Sequence, residues 1–153
     1  MSGLTRPNLS RDVVVKYGGE RKDEEVSLRC PAVPELLRVR ELVNANVAAA
    51  VDAADRKKRG DKSATPQTDD GLLHAEVVKA CLPDEYAEWE LTEVFHLINQ
   101  SGGHVSPLVV ESFDLCGYAW YRTAVGLNDA VNTAKRKGAE RRRPGIGGDP
   151  ANP

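Results

Sequence analysis

Residues 91–117 read LTEVFHLINQSGGHVSPLVVESFDLCG, and the fold is decided there. Leu91, Val94, Phe95 and Ile98 recur at i, i+3, i+4 and i+7, the spacing of one apolar stripe on a helix. Gly102 and Gly103 end that helix, because glycine enters the left-handed conformation without steric cost. Ser106-Pro107 opens the next, with serine as N-cap and proline at N1, where a missing N–H costs nothing. Val109, Phe113 and Cys116 form the second apolar stripe. The stretch therefore predicts a hairpin of two short helices, each with one face to bury. It carries no catalytic signature.

Outward toward the N-terminus, the acidic turn DEYAEWE (84–90) follows Pro83, expected at N1, and carries Tyr86 and Trp89. Before it, Leu72, Leu73, Val77, Val78 and Cys81 predict a helix ending near Leu82 and capped by Thr68 or Asp69. The polar stretch GDKSATPQTDD (60–70) is a loop by composition. The longest predicted helix covers residues 35–58, opened by Pro31 and Pro34. Its stripe is Leu36, Val39, Val43, Val47, Ala50 and Val51, widened by Leu42. Residues 56–59 place four positive charges at its C-terminal end, where the helix dipole favours them, and Gly60 stops it. Two β-branched runs, 12–17 and 25–29, flank Gly18-Gly19 and predict a β-hairpin over 12–29. A hairpin alone is marginal in water and must pack on a helix or another chain. Its edge carries Lys16 and Arg29, which blunt strand addition. Residues 1–11 read as a disordered leader.

Toward the C-terminus, residues 118–131 predict one more helix, weakened at Gly126. From Asn132 the chain turns Lys/Arg-rich and then Pro/Gly-rich, a composition that predicts a disordered tail over 135–153. The expected architecture is mainly α: about five helices with an N-terminal β-hairpin in a single domain over 12–134, followed by a basic tail.

A chain of 153 residues suits one domain with one core. Aromatics are only 5% of it, so that core must be largely Val, Leu and Ala. No window approaches the roughly 18 uninterrupted apolar residues of a membrane span, and the N-terminus has no secretory h-region. Cys30, Cys81 and Cys116 are an odd number, far apart in sequence. They read as small buried hydrophobes in a reducing cytoplasm. Residues 1–130 hold 15 Lys/Arg against 21 Asp/Glu, whereas 131–153 hold 6 against 2, so an acidic body carries a basic tail.

His74, His96 and His104 lack the spacing of a metal site. Ser101 lacks the strand-to-helix setting of a nucleophile elbow, and no glycine cluster matches a phosphate or dinucleotide loop. Neither a catalytic residue, a metal ligand nor a cofactor is expected. Asp84, Glu85, Glu88, Glu90 and Glu93 form an acidic surface, of which Glu85 and Glu88 are candidates for meeting a basic partner. Leu36, Val39, Val43 and Val47 are candidates for a client groove, with an ordinary core as the alternative. Lys135, Arg136, Lys137, Arg141, Arg142 and Arg143 could give weak, non-specific contact with nucleic acid. A helix-turn-helix reading of the central hairpin is the alternative function, as a nucleic-acid-associated accessory protein. Glu111 and Asp114, with no Lys or Arg over 106–116, oppose it, because a recognition helix needs donors for base edges.

The order of these elements carries a resemblance. A strand pair around a glycine turn (VVVKYGG, EVSLR) leads through PAVPEL into a long Leu/Val/Arg helix. Short helices follow, including INQSGGHVSPLVVESFDLCG, and then a polar Gly/Pro-rich end. Over about residues 12–135 this layout resembles the tail assembly chaperones of long-tailed bacteriophages. The resemblance implies a non-enzymatic protein of the host cytoplasm that binds a tape measure protein during tail assembly and is absent from the finished virion. A second copy of the chain is a further expected partner. In that family a frameshift often appends a longer C-terminal domain, for which residues 144–153 would suit the junction. The basic cluster at 135–143 is an addition to the family layout.

Overall fold

The computed structural model describes residues 3–64 and 70–126. The chain is mainly helical with an N-terminal antiparallel hairpin. Its described residues fall into two units, divided between Ala119 and Trp120. The first holds every element discussed below. In the second, a fifth helix begins at Trp120 and is described to Gly126. That helix is within the single domain expected over residues 12–134. The basic tail and the expected caps Thr68 and Asp69 lie outside the described residues.

Strand β1 (Ser10–Val15) pairs with β2 (Glu24–Arg29) in the register Ser10↔Arg29, Val13↔Val26 and Val15↔Glu24. Side chains alternate across a strand. Val13, Val15 and Leu28 accordingly point into the core while Val14 faces out. Pairing starts two residues earlier than the β-branched run suggested. The Cys30 N–H donates to the Leu9 carbonyl at 2.8 Å, which carries the ladder past Asp12. At the other end the Tyr17 N–H turns to Asp23 Oδ1 at 3.1 Å, so Lys16 and Tyr17 leave the strand. The Arg21 guanidinium covers the Tyr17 ring at 3.7 Å, a cation–π contact that closes the long turn.

Helix α1 (Val33–Lys58) starts after extended Ala32, with Pro34 in its first turn. Helix α2 (Asp70–Cys81) buries Leu73, Ala75, Val77, Val78 and Cys81. Pro83 is extended and acts as the N-cap of a 3-10 turn, Asp84–Tyr86, rather than as N1 of a helix. Helix α3 (Leu91–Gln100) opens with a capping box: the Glu90 N–H donates to Glu93 Oε1 at 3.0 Å, and the Glu90 side chain accepts from the Glu93 N–H.

Between α3 and α4 (Pro107–Leu115) the chain turns through Gly102 at φ 117°, where a side chain would be strained. Two buried serines fasten that turn. Ser101 Oγ donates to the Leu97 carbonyl at 2.9 Å, and Ser101 Oγ and Ser106 Oγ share a 2.8 Å hydrogen bond. Ser106 then caps α4 by accepting from the Leu108 N–H.

The two helices of this hairpin do not bury alike. On α3 only Val94 and Ile98 are buried, Leu91 is half-buried and Phe95 is exposed. Helix α4 buries Leu108, Val109, Val110, Ser112, Phe113 and Leu115. These six residues cover about 220° of the helix circumference, with half-buried Glu111 and Asp114 on the remaining side, so α4 buries a wider face than a single stripe. The cause is its place in the first unit: it packs on both strands, on α2 and on the turn after α3. Among the described residues, no helix is long and apolar enough to cross a membrane.

Candidate protein-docking surface

Helix α1 has more apolar side chains than one face can hold. At 100° per residue, Val39, Val43 and Ala53 fall on the side that meets α2. Their exposures of 2%, 6% and 2% make them core. A second row lies roughly 80–160° around the helix, at Val33, Leu37, Val47 and Val51. These four are 67%, 48%, 53% and 55% exposed. Val33 and Val51 share one azimuth, and Leu37 and Val47 stand within about 40° of it on either side. At 1.5 Å rise per residue the row runs about 27 Å along the surface. Arg40 and Asn44, both exposed, interrupt it midway. Apolar ends around a polar middle make a surface able to seat a helix and fix its register.

The four residues proposed from sequence for a groove are therefore divided. Val39 and Val43 are core, because they face α2. Leu36 is half-buried between the two faces, and Val47 alone belongs to the exposed row. Val33 lay before the predicted helix start, and Leu37 sat one position off the predicted stripe. Extending the helix back to Val33 and testing a second azimuth would have found both.

Beside the buried face of α1 is a cleft of about 390 Å³ between β2, α1, α2 and the 3-10 turn. Its walls carry two ion pairs. Arg29 donates to Asp84, and that hydrogen bond holds the Asp84 carboxyl below its usual range. Arg38 Nε donates to Glu76 Oε2 at 2.9 Å, tying α1 to α2. Val39 forms part of the lining, and no Ser, Cys or His is among the described residues there. The two ion pairs thus brace four elements, β2 with the 3-10 turn and α1 with α2. Glu85 and Glu88 lie outside it, exposed around the Tyr86–Trp89 edge-to-face pair, whose centroids are 5.1 Å apart.

A row of apolar residues also reaches the surface at Leu72, Phe95 and half-buried Leu91, over a shallow groove of about 450 Å³ between α2 and α3. His74 stands edge-on to Phe113 at 5.8 Å. Burial lowers its pKa, and His104 adds to that while Asp70 opposes it. The cysteines depart from the sequence reading. Cys81 is buried as expected, yet its Sγ lies 3.8 Å from that of Cys116, 35 residues away in sequence. Among the described residues, no three His, Cys, Asp or Glu are grouped to hold a metal ion. The basic-tail candidates Lys135, Arg136, Lys137, Arg141, Arg142 and Arg143 lie outside the described residues. No protein-family model, curated protein or solved structure matches the chain.

Proposed function

We propose that this protein is a non-enzymatic assembly factor that binds a helical protein client, in the manner of a phage tail assembly chaperone holding a tape measure protein. The observation that carries this reading is the second apolar row of α1: Val33, Leu37, Val47 and Val51, about half exposed or more along one helix face. Isolated apolar side chains on a surface are ordinary, but an aligned row spanning about 27 Å is the geometry that receives an amphipathic helix. The charged residues around it keep such a surface soluble between clients. The acidic exterior at Glu85 and Glu88 suits a basic client by steering.

The nucleic-acid alternative gains less support. It needs a helix with an outward face of donors, and the less buried side of α4 carries Glu111 and Asp114. Co-expression with the tape measure protein of the same genome tests the proposal. The expected result is co-purification and a larger soluble fraction of the client, both lost in the Leu37→Asp/Val47→Asp double variant. A client equally soluble with and without this chain would overturn it.

A further inference from the structure

Cys81 and Cys116 come from opposite ends of a segment that includes α3 and α4, and the fold sets their sulfurs 3.8 Å apart. Cys81 ends α2 and is fully buried, with its Sγ also 3.7 Å from the Ser112 carbonyl oxygen. Cys116 is the C-cap of α4, half-buried beside exposed Gly117. Cys116 is therefore the more exposed residue of the pair, and Cys81 the deeper one. A disulfide needs the sulfurs at about 2.05 Å, a closure of roughly 1.8 Å. Gly117, at φ 94°, follows Cys116 directly at the helix end.

We propose that Cys81 and Cys116 are a thiol modification site that hydrogen peroxide converts to an intramolecular disulfide, with Cys116 as the attacking sulfur and Cys81 as the resolving one. The protonation pattern fits these roles. The hydrogen bond between the two sulfurs lowers the Cys116 thiol from its usual range, while that bond and burial raise Cys81. In the first step the Cys116 thiolate attacks one peroxide oxygen and the O–O bond breaks. The departing hydroxide takes a proton and leaves as water, and Cys116 becomes a sulfenic acid. In the second, the Cys81 sulfur attacks the Cys116 sulfur and the S–O bond breaks. The hydroxyl leaves with the Cys81 proton as a second water. Two thiols are oxidised by two electrons and one peroxide is reduced. Cys30, whose thiol is raised mainly by burial and then by the charge of Cys116, lies in the same neighbourhood and serves as the control.

The test is peroxide treatment of the full chain, followed by alkylation, intact mass and peptide mapping. The expected result is loss of the mass of two hydrogens, a fall from three free thiols to one, and a linked Cys81–Cys116 peptide. Dithiothreitol should restore all three thiols. Cys30→Ala should react in the same way, and Cys116→Ala should keep both remaining thiols. Oxygen retained on Cys116 without a link, or a linked peptide containing Cys30, would overturn the proposal. The wild-type map decides the matter even if a variant fails to fold.

Discussion

The two apolar rows of α1 make opposite predictions for the same substitution. Val39→Ala removes two methyl groups from a side chain that is 2% exposed. At about 0.8 kcal/mol per buried group, plus a cavity contribution, the loss is about 2–3 kcal/mol. The higher helix propensity of alanine returns about 0.5 kcal/mol, leaving about 2 kcal/mol of destabilisation. Val47→Ala makes the same chemical change where 53% of the residue is already exposed. Its transfer loss is smaller and is offset by the same propensity gain, so the net change stays within about 0.5 kcal/mol. Urea titration followed by far-ultraviolet circular dichroism reads the difference. With a slope of about 1–2 kcal/mol/M, Val39→Ala should lower the midpoint by roughly 1 M or more while Val47→Ala leaves it nearly unchanged. A shift for Val47→Ala as large as that for Val39→Ala would show that the second row is covered in the free protein, and the docking argument would fail.

Other outcomes follow from single residues. Ser112 Oγ is buried and finds no hydrogen-bond partner among the described residues, so Ser112→Ala should stabilise the fold by about 1 kcal/mol in the same titration. His74 has a folded pKa below its ordinary 6.5, chiefly through burial. Its neutral form is the one the fold favours, so this stability is present above pH 6.5 and is lost as the pH falls through the folded pKa. Thermal melts between about pH 7 and pH 5 should therefore show wild type losing its advantage over His74→Asn as the pH drops. A gap that widens would refute the assignment. Closing the Cys81–Cys116 disulfide should raise unfolding free energy by about 2–4 kcal/mol, read by comparing oxidised and reduced protein in urea.

What could be read from residues alone was local. Ser106-Pro107, Gly102 and the last basic turn of α1 act within a few positions of themselves, and each marks its helix end in the sequence. The hairpin was legible from its β-branched runs, although its start was not. The Leu9–Cys30 bond that extends it forms between residues 21 positions apart. The candidate surface was only half legible. Valines or leucines at 33, 37, 39, 43, 47 and 51 satisfy two helical stripes at once, and only the position of α2 decides which is core. The Cys81–Cys116 approach has no sequence signal, because it depends on α2 and α4 packing side by side.

The central claim is that the outward row of α1, and not its inward row, meets the client. Photo-crosslinking within the co-expressed complex tests this most directly, with a benzophenone side chain placed in turn at Val33, Leu37, Val47 and Val51, and at Glu85 as a comparison site. The account predicts adducts to the client at the four α1 positions, strongest at Leu37 and Val47. Client adducts at Glu85 with none along α1 would contradict it.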